Sequence, residues 1–210
     1  MKTTDKKKAL AELERLYPDA KPALRYTTAY ELLVAVILSA QCTDERVNKV
    51  TAVLFENYST PEKMVTLSQT ELEKYIFSCG FYRMKAEHIL SASRDILEKF
   101  NGEVPKTIEE LMSLAGVGKK TANVVYSVAF GGQAIAVDTH VFRVSNRLGL
   151  AKGKTPLEVE KGLNKAIPAS DWAKAHHWII YHGRKVCHSQ KPNCNECTLQ
   201  EYCDFFKTKK

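Results

Sequence analysis

Two glycines and two lysines stand close together near the middle of the chain, in the stretch Leu114-Ala115-Gly116-Val117-Gly118-Lys119-Lys120-Thr121-Ala122. Glycine adopts positive φ and lets another backbone come close, so Gly116 and Gly118 are typical of a tight turn that contacts a ligand. A helical pattern over residues 121–130 follows at once, and the unpaired N–H groups at a helix start attract anions such as phosphate. The stretch therefore predicts a phosphate-binding turn.

The pair Lys119-Lys120 is unusual for the first turn of a helix. Cations at this end oppose the helix dipole and repel each other, at a cost of roughly 0.3–1 kcal/mol each. Two solvated lysines on a basic surface would explain the pair. A chemical use for one of them needs support from elsewhere in the chain.

A second chemical pattern lies near the C-terminus, where four of the six cysteines form the motif Cys187-x6-Cys194-x2-Cys197-x5-Cys203. Such crowding, in a chain without a secretion signal, favours metal binding over disulfides. Structural zinc sites usually have two close ligand pairs, whereas this loop has one and is typical of a cubane iron–sulfur cluster. Zinc remains the alternative. We expect metal binding to supply much of the folding energy of the loop.

The composition favours a polyanionic partner, because the net charge is +7 and the pI is near 9.0. The longest strongly apolar stretch, residues 32–40, is too short to span a bilayer, and no apolar signal segment follows the N-terminus. We therefore expect a soluble, cytoplasmic protein that does not contact membranes. The isolated Cys42 and Cys79 are interpreted as buried thiols.

The elements that must position these residues are helical. Capping-box sequences recur at Thr28 to Glu31, Ser68 to Glu71, Thr107 to Glu110 and Thr155 to Glu158. Apolar residues follow them at helical spacing, and only Ala134 to Val137 reads as a strand. The sequence predicts an all-α fold of about ten helices in two lobes, with Gly131-Gly132 as the hinge candidate.

Five segments, in this order, make the chain resemble the endonuclease III family, the DNA repair glycosylases of the helix–hairpin–helix superfamily. They are residues 38–44 (LSAQCTD), 101–105 (NGEVP), 116–122 (GVGKKTA), 136–141 (AVDTHV) and the cysteine motif. The resemblance covers essentially the whole chain. It implies a six-helix barrel domain at 22–132 and a discontinuous cluster domain at 1–21 and 133–210, with DNA in the cleft between them. It also implies that Cys187, Cys194, Cys197 and Cys203 bind a [4Fe-4S] cluster. The implied role of the cluster is structural or redox-sensing, and not catalytic.

The resemblance implies catalytic roles for Lys120 and Asp138. Members remove oxidised pyrimidines, such as thymine glycol, and cleave the strand at the abasic site through a lysine Schiff base. A lysine that is partly desolvated beside another cation reaches its nucleophilic amine form more easily, which gives Lys120 a rationale. Asp138 would accept a proton or stabilise the cationic sugar. A helix N-cap is the alternative for Asp138.

The resemblance also implies DNA contacts at Gln41, Phe81, Gly116, Val117, Gly118, Lys119 and Lys191. An extruded base leaves a gap in the stack, which Gln41 and Phe81 would fill. The family more often has leucine at the position of Phe81 and proline at that of Ala115, so this chain departs there. A core position is the alternative for Phe81. Ser39 and Asp44 are expected near the damaged base.

Damaged double-stranded DNA is thus the expected partner of a monomeric enzyme. Two other functions are weighed against this one. An adenine glycosylase of the same superfamily normally lacks the lysine and carries a further C-terminal domain. A non-catalytic iron–sulfur protein that binds DNA or senses redox state would need the glycines but not both Lys120 and Asp138.

Overall fold

The computed structural model describes residues 1–208, and within them the all-α prediction is confirmed: there are twelve α-helices, two short 3-10 turns and no strand. No helix among the described residues is long and apolar enough to cross a membrane. The chain divides into two compact units. The continuous unit is Pro22–Gly132, and the discontinuous unit is Met1–Lys21 together with the chain from Gln133 onward.

The continuous unit holds seven helices around one hydrophobic core. Its central helix is buried without interruption from Tyr30 to Leu38, which explains why the sequence there is apolar on every side. The helices are α2 (Ala29–Ser39), α3 (Asp44–Leu54), α4 (Pro61–Met64), α5 (Gln69–Ile76), α6 (Tyr82–Lys99), α7 (Ile108–Ser113) and α8 (Lys119–Phe130).

The discontinuous unit packs the N-terminal helix with the helices of the C-terminal half around a second core. Its helices are α1 (Thr3–Leu16), α9 (Thr139–Leu148), α10 (Pro156–Ala166), α11 (Trp172–Lys185) and α12 (Asp204–Lys207), and its 3-10 turns are Ala169–Asp171 and Cys194–Glu196. The strand-like run Ala134 to Val137 is buried but forms no ladder; instead, the Ala136 carbonyl accepts a hydrogen bond from His176 Nδ1 at 2.8 Å.

The four predicted helix starts are confirmed, since each Ser or Thr hydroxyl accepts the backbone N–H of the Glu three residues on. Only Ser68 and Glu71 form the reciprocal capping box. Glu31 and Glu158 reach one residue further back, to the backbone N–H groups of Thr27 and Lys154. Each helix start is thus positioned by local hydrogen bonds that the sequence specifies.

Candidate functional site

The glycine turn connects α7 to α8 and uses its two glycines differently. Gly116 has φ +75°, and a Cβ there would lie 2.9 Å from Cβ and Nδ1 of His88 on α6, so both conformation and space exclude other residues. Gly118 has φ −85°, which any residue adopts, and a Cβ there would meet nothing within 4 Å. Gly118 therefore leaves space in front of the helix start, whereas Gly116 makes the turn.

Helix α8 begins at Lys119, two residues before the predicted start at Thr121. No side chain caps this end, and the first backbone bond of the helix is from Ala122 N–H to the Gly118 carbonyl. The N–H groups of Lys119, Lys120 and Thr121 have no hydrogen-bond partner among residues 1–208. An open helix start of this kind, on a helix of 12 residues, has the unpaired N–H groups and the dipole direction that favour an anion.

Both lysines of the turn are exposed. The partial desolvation expected for Lys120 is therefore not present in the protein alone, and a bound substrate would have to supply it. Val117, by contrast, is buried in the core of the continuous unit. Only its backbone is thus available for contact with a ligand.

Asp138 lies at the start of α9 and is the N-cap of that helix. Its Oδ1 accepts the Val141 N–H at 2.7 Å, while Oδ2 makes no hydrogen bond to a described residue. The carboxylate also acts on His140, where it opposes the lowering of the histidine pKa by burial. The capping interpretation of Asp138 is correct, and it leaves one carboxylate oxygen for another role.

The four late cysteines line a single cavity in the discontinuous unit. Burial raises the pKa of Cys197 and of Cys203, and the neighbouring thiols raise both further, whereas backbone N–H groups of Leu199, Phe205 and Phe206 lower them. Apolar side chains form most of the remaining lining (Leu148, Val186, Pro192, Phe205 and Phe206), together with His182, Asn193 and Gln200. Within residues 1–208, no three Cys, His, Asp or Glu side chains are arranged to hold a single metal ion.

Two arginines of α9 hold the cysteine loop, and neither was predicted from the sequence. Arg143 donates from Nε to the Cys187 carbonyl at 3.1 Å. Arg147 donates to the carbonyls of His188 and Ser189 at 2.6 and 2.9 Å, and its Nη1 donates to Cys187 Sγ at 3.5 Å. The signal in the sequence was their i, i+4 spacing, which places both arginines on one face of α9.

Lys191 lies in this arginine-held loop and is exposed, with φ +47°. Residues outside glycine seldom adopt that conformation, so the loop is constrained where it presents the lysine. A hydrogen bond from Asn193 N–H to the Val186 carbonyl closes the loop behind it. The loop thus presents one cation on a fixed backbone.

Gln41 and Phe81 share an uncommon geometry. Gln41 is the second residue after the end of α2 and has φ +51°, Phe81 directly precedes α6 with φ +58°, and both are exposed. Phe81 is 60% exposed, so the core interpretation of this residue is wrong. Nearby, Ser39 Oγ donates to the Val36 carbonyl at 2.8 Å and Asp44 begins α3.

The sequence is similar to a known DNA repair family and to named relatives. Residues 34–169 match the family model described as HhH-GPD superfamily base excision DNA repair protein. The chain is 52% identical over 192 residues to endonuclease III of Synechocystis sp., covering 91% of this chain and 88% of the relative. It is 45% identical over 196 residues to endonuclease III of Escherichia coli K12, covering 93% of each.

Solved structures of endonuclease III are also similar to this chain. The structure of a trapped endonuclease III–DNA covalent intermediate matches with a TM-score of 0.95 at 48% identity, over 100% of this chain and 99% of the other. A non-covalent endonuclease III–DNA complex matches with the same TM-score and identity. A thermostable thymine-DNA glycosylase matches with a TM-score of 0.88 at 21% identity, which shows a shared fold.

Proposed function

The chain belongs to the endonuclease III family, within the HhH-GPD superfamily of base excision DNA repair proteins, and we propose that it removes oxidised pyrimidines from duplex DNA and then cleaves the strand. The observation that carries the proposal is Lys120, in the first turn of an uncapped helix start that can hold a DNA phosphate. The relative caught as a covalent DNA intermediate aligns with the full length of this chain.

The glycine turn binds the DNA backbone in this proposal. Three unpaired N–H groups lie at the start of α8 next to Gly118, where a Cβ would meet nothing within 4 Å, and Lys119 adds a positive charge beside them. Phosphate contacts of this kind position a protein on DNA without reading its sequence. The exposed Lys191 and the net charge of +7 provide further attraction to DNA.

Lys120 is the nucleophile. Its neutral Nζ attacks C1′ of the damaged nucleotide, the C1′–N bond breaks, and the base leaves with the bonding electrons and takes up a proton. Opening of the sugar ring gives a protonated imine between Nζ and C1′. Loss of a C2′ proton then breaks the C3′–O bond, so that the 3′ phosphate leaves and the strand is cut; water hydrolyses the imine and regenerates the lysine.

Asp138 stabilises positive charge on the sugar and accepts a proton during these steps. The support is its Oδ2, which the helix cap does not use. A carboxylate already fixed by one backbone bond loses little side-chain entropy when it acts on a substrate. This catalytic role requires the negative charge of Asp138, whereas helix capping requires only a side-chain oxygen that accepts a hydrogen bond.

Gln41 and Phe81 fill the gap that the extruded base leaves in the duplex. Both side chains are exposed and are carried on left-handed backbone positions next to helix ends. An aromatic ring gains stacking energy between bases, which compensates for the cost of unstacking a step. This explains how phenylalanine can replace the more usual leucine of the family.

The four cysteines hold a [4Fe-4S] cluster. Four thiols converge on one apolar cavity, backbone N–H groups of Leu199, Phe205 and Phe206 point at two of the sulfurs, and Arg147 supplies a positive charge beside Cys187. N–H contacts to sulfur and a counter-charge suit an anionic thiolate cluster. When bound, the cluster provides a redox-active centre and the cross-links that fold the loop.

Borohydride trapping tests the reaction. The protein is mixed with duplex DNA that contains one abasic site, and sodium borohydride reduces any imine to a stable protein–DNA adduct. We expect an adduct with the wild type and with Lys119→Ala, its exposed neighbour, but none with Lys120→Ala. A wild type that gives no adduct, or a Lys120→Ala protein that still does, contradicts the lysine mechanism; the former favours a non-catalytic DNA-binding protein.

Metal analysis tests the cofactor. Protein purified without oxygen should be brown and contain iron and acid-labile sulfide in equal amounts, about four of each per chain. One zinc per colourless chain would contradict the cluster assignment. Size-exclusion chromatography with light scattering tests the expected monomer, for which a dimer mass is the contrary result.

A further inference from the structure

A buried lysine lies between the two turns that carry Gln41 and Phe81. Lys85, in the first turn of α6, is only 3% exposed and forms no salt bridge with any described residue. Lysine is almost never buried unless it is paired, because removing its charge from water is costly. The position therefore needs an explanation from what the ammonium group touches.

The ammonium group of Lys85 donates hydrogen bonds to two backbone carbonyls at the end of α2. It donates to the Leu38 carbonyl at 2.8 Å and to the Ala40 carbonyl at 2.7 Å. The remaining terminal carbonyls have other partners: Ser39 Oγ binds that of Val36, and the backbone N–H groups of Ala40 and Cys42 bind those of Ile37 and Ser39. Without Lys85, two carbonyls at the end of α2 would have no partner in the described chain.

The same residue also holds the second turn. The backbone N–H of Lys85 donates to the Phe81 carbonyl at 3.1 Å, which closes the first turn of α6 behind the left-handed Phe81. Gly80 faces the other turn, and a Cβ there would lie 3.4 Å from the Gln41 carbonyl. The two turns are therefore in contact, and Lys85 has a bond to the residue before Gln41 and to Phe81 itself.

The surroundings of Lys85 are otherwise weakly polar. Burial lowers the pKa of Lys85, and the nearby thiols of Cys79 and Cys42 oppose this shift. The cation faces the carbonyl end of α2, where the helix dipole is negative and favours positive charge. Carbonyl oxygens and the helix end thus stabilise the charge in place of a carboxylate.

We propose that Lys85 is a positioning residue for base extrusion, which holds the Gln41 and Phe81 turns at a fixed separation so that both side chains enter the duplex together. The proposal rests on the assignment of Gln41 and Phe81 as gap-filling residues. It assigns Lys85 no contact with DNA. Small errors in the placement of such groups reduce rates strongly, since about 1 Å can cost a hundredfold.

The test compares a step that requires the gap to be filled with one that does not. Single-turnover excision of thymine glycol from duplex DNA requires the gap to be filled, whereas strand cleavage at an abasic site in single-stranded DNA has no base stack to replace. For Lys85→Met, which keeps the length of the side chain, we expect duplex excision to fall about tenfold to a hundredfold. Cleavage of the single strand should stay within about twofold.

Matched variants separate a positioning role from loss of stability. Lys99→Met removes an exposed lysine of the same helix, whose surface pair with Asp95 contributes little, and should behave as wild type. Lys85→Gln retains N–H donors and should recover part of the duplex activity. If Lys85→Met loses its helical circular dichroism, Lys85→Gln replaces it in the test. Equal losses on both substrates in a folded variant would show that Lys85 only supports the fold.

A double-mutant cycle with Gln41→Ala distinguishes this inference from the assignment on which it rests. If Lys85 acts through the turn, adding Lys85→Met to Gln41→Ala should cost clearly less than it does in the wild type. If Gln41→Ala and Phe81→Ala both leave duplex excision unchanged, the gap-filling assignment is wrong. If those two variants are impaired and Lys85→Met is not, the assignment stands and the role of Lys85 is refuted.

Discussion

Asp138 caps α9 and has a proposed catalytic role, and substitutions can separate the two because the cap needs an oxygen atom whereas the proposed chemistry needs a charge. Asn is as good an N-cap as Asp, so Asp138→Asn should change the free energy of unfolding by no more than about 0.5 kcal/mol. The same variant should lose most of its base-excision turnover while its DNA affinity changes little. Turnover from single-turnover kinetics, affinity from fluorescence anisotropy and stability from urea unfolding check these expectations.

Asp138→Ala is the matched control, since it removes both the charge and the cap. We expect it to lose about 1 kcal/mol of stability in addition to the loss of turnover, because the Val141 N–H then has no side-chain partner. A loss of DNA affinity in Asp138→Asn that is as large as its loss of turnover would contradict the catalytic role.

The family resemblance predicts which side chains carry the chemistry, but neither it nor the residue spacing predicts their neighbours. The need for glycine at position 116 follows from the turn, whereas the free space at Gly118 became visible only in three dimensions. Lys85 was missed because a lysine in a helix is normally read as solvated. Its place on the buried stripe of α6, four residues before Ile89, was the available signal.

Elements were predicted more completely than residues. Helix starts depend on hydrogen bonds between residues three apart, so Thr28, Ser68, Thr107 and Thr155 could be identified as caps from sequence. The start of α8 was placed two residues late because its cap is Gly118, which has no side chain to mark it. The run Ala134 to Val137 has strand composition, but no partner strand exists within residues 1–208.

Helix α11 makes the stability of the protein sensitive to acid through His177. Burial, with the nearby His176 and Arg184 as lesser causes, lowers the pKa of His177 to about 3. An unfolded histidine has a pKa of about 6.5, so as pH falls below that value the unfolded chain binds a proton that the native ring does not. Stability contributed by neutral His177 is therefore complete above about pH 6.5 and declines from there toward pH 3.

Replacement of this histidine should flatten the acid response. Between pH 7 and pH 5, the wild type should lose up to about 2 kcal/mol more unfolding free energy than His177→Gln, as measured by urea unfolding at each pH. Lys174→Gln, an exposed position one turn earlier on α11, controls for changes on the same helix and should follow the wild type. Parallel losses in wild type and His177→Gln would show that His177 is protonated in the native state.

At the scale of the whole molecule, the two units differ in what stabilises them. The continuous unit has a core of apolar side chains centred on α2, which is buried from Tyr30 to Leu38. The core of the discontinuous unit includes Cys203, with Cys187 and Cys197 packed against it, so part of that core is formed by the proposed cluster ligands. Loss of the cluster should therefore affect the two units unequally.

Limited proteolysis of a variant that lacks one proposed cluster ligand tests this difference. In Cys203→Ser, which lacks one of the proposed cluster ligands, we expect cleavage in the C-terminal half while a fragment close to Pro22–Gly132 persists, because its core contains none of the four proposed ligands. Cys42→Ser, a cysteine outside the loop, should be as resistant as the wild type. Degradation of both units at one rate in Cys203→Ser would mean that they unfold together, and that the cluster stabilises the whole chain.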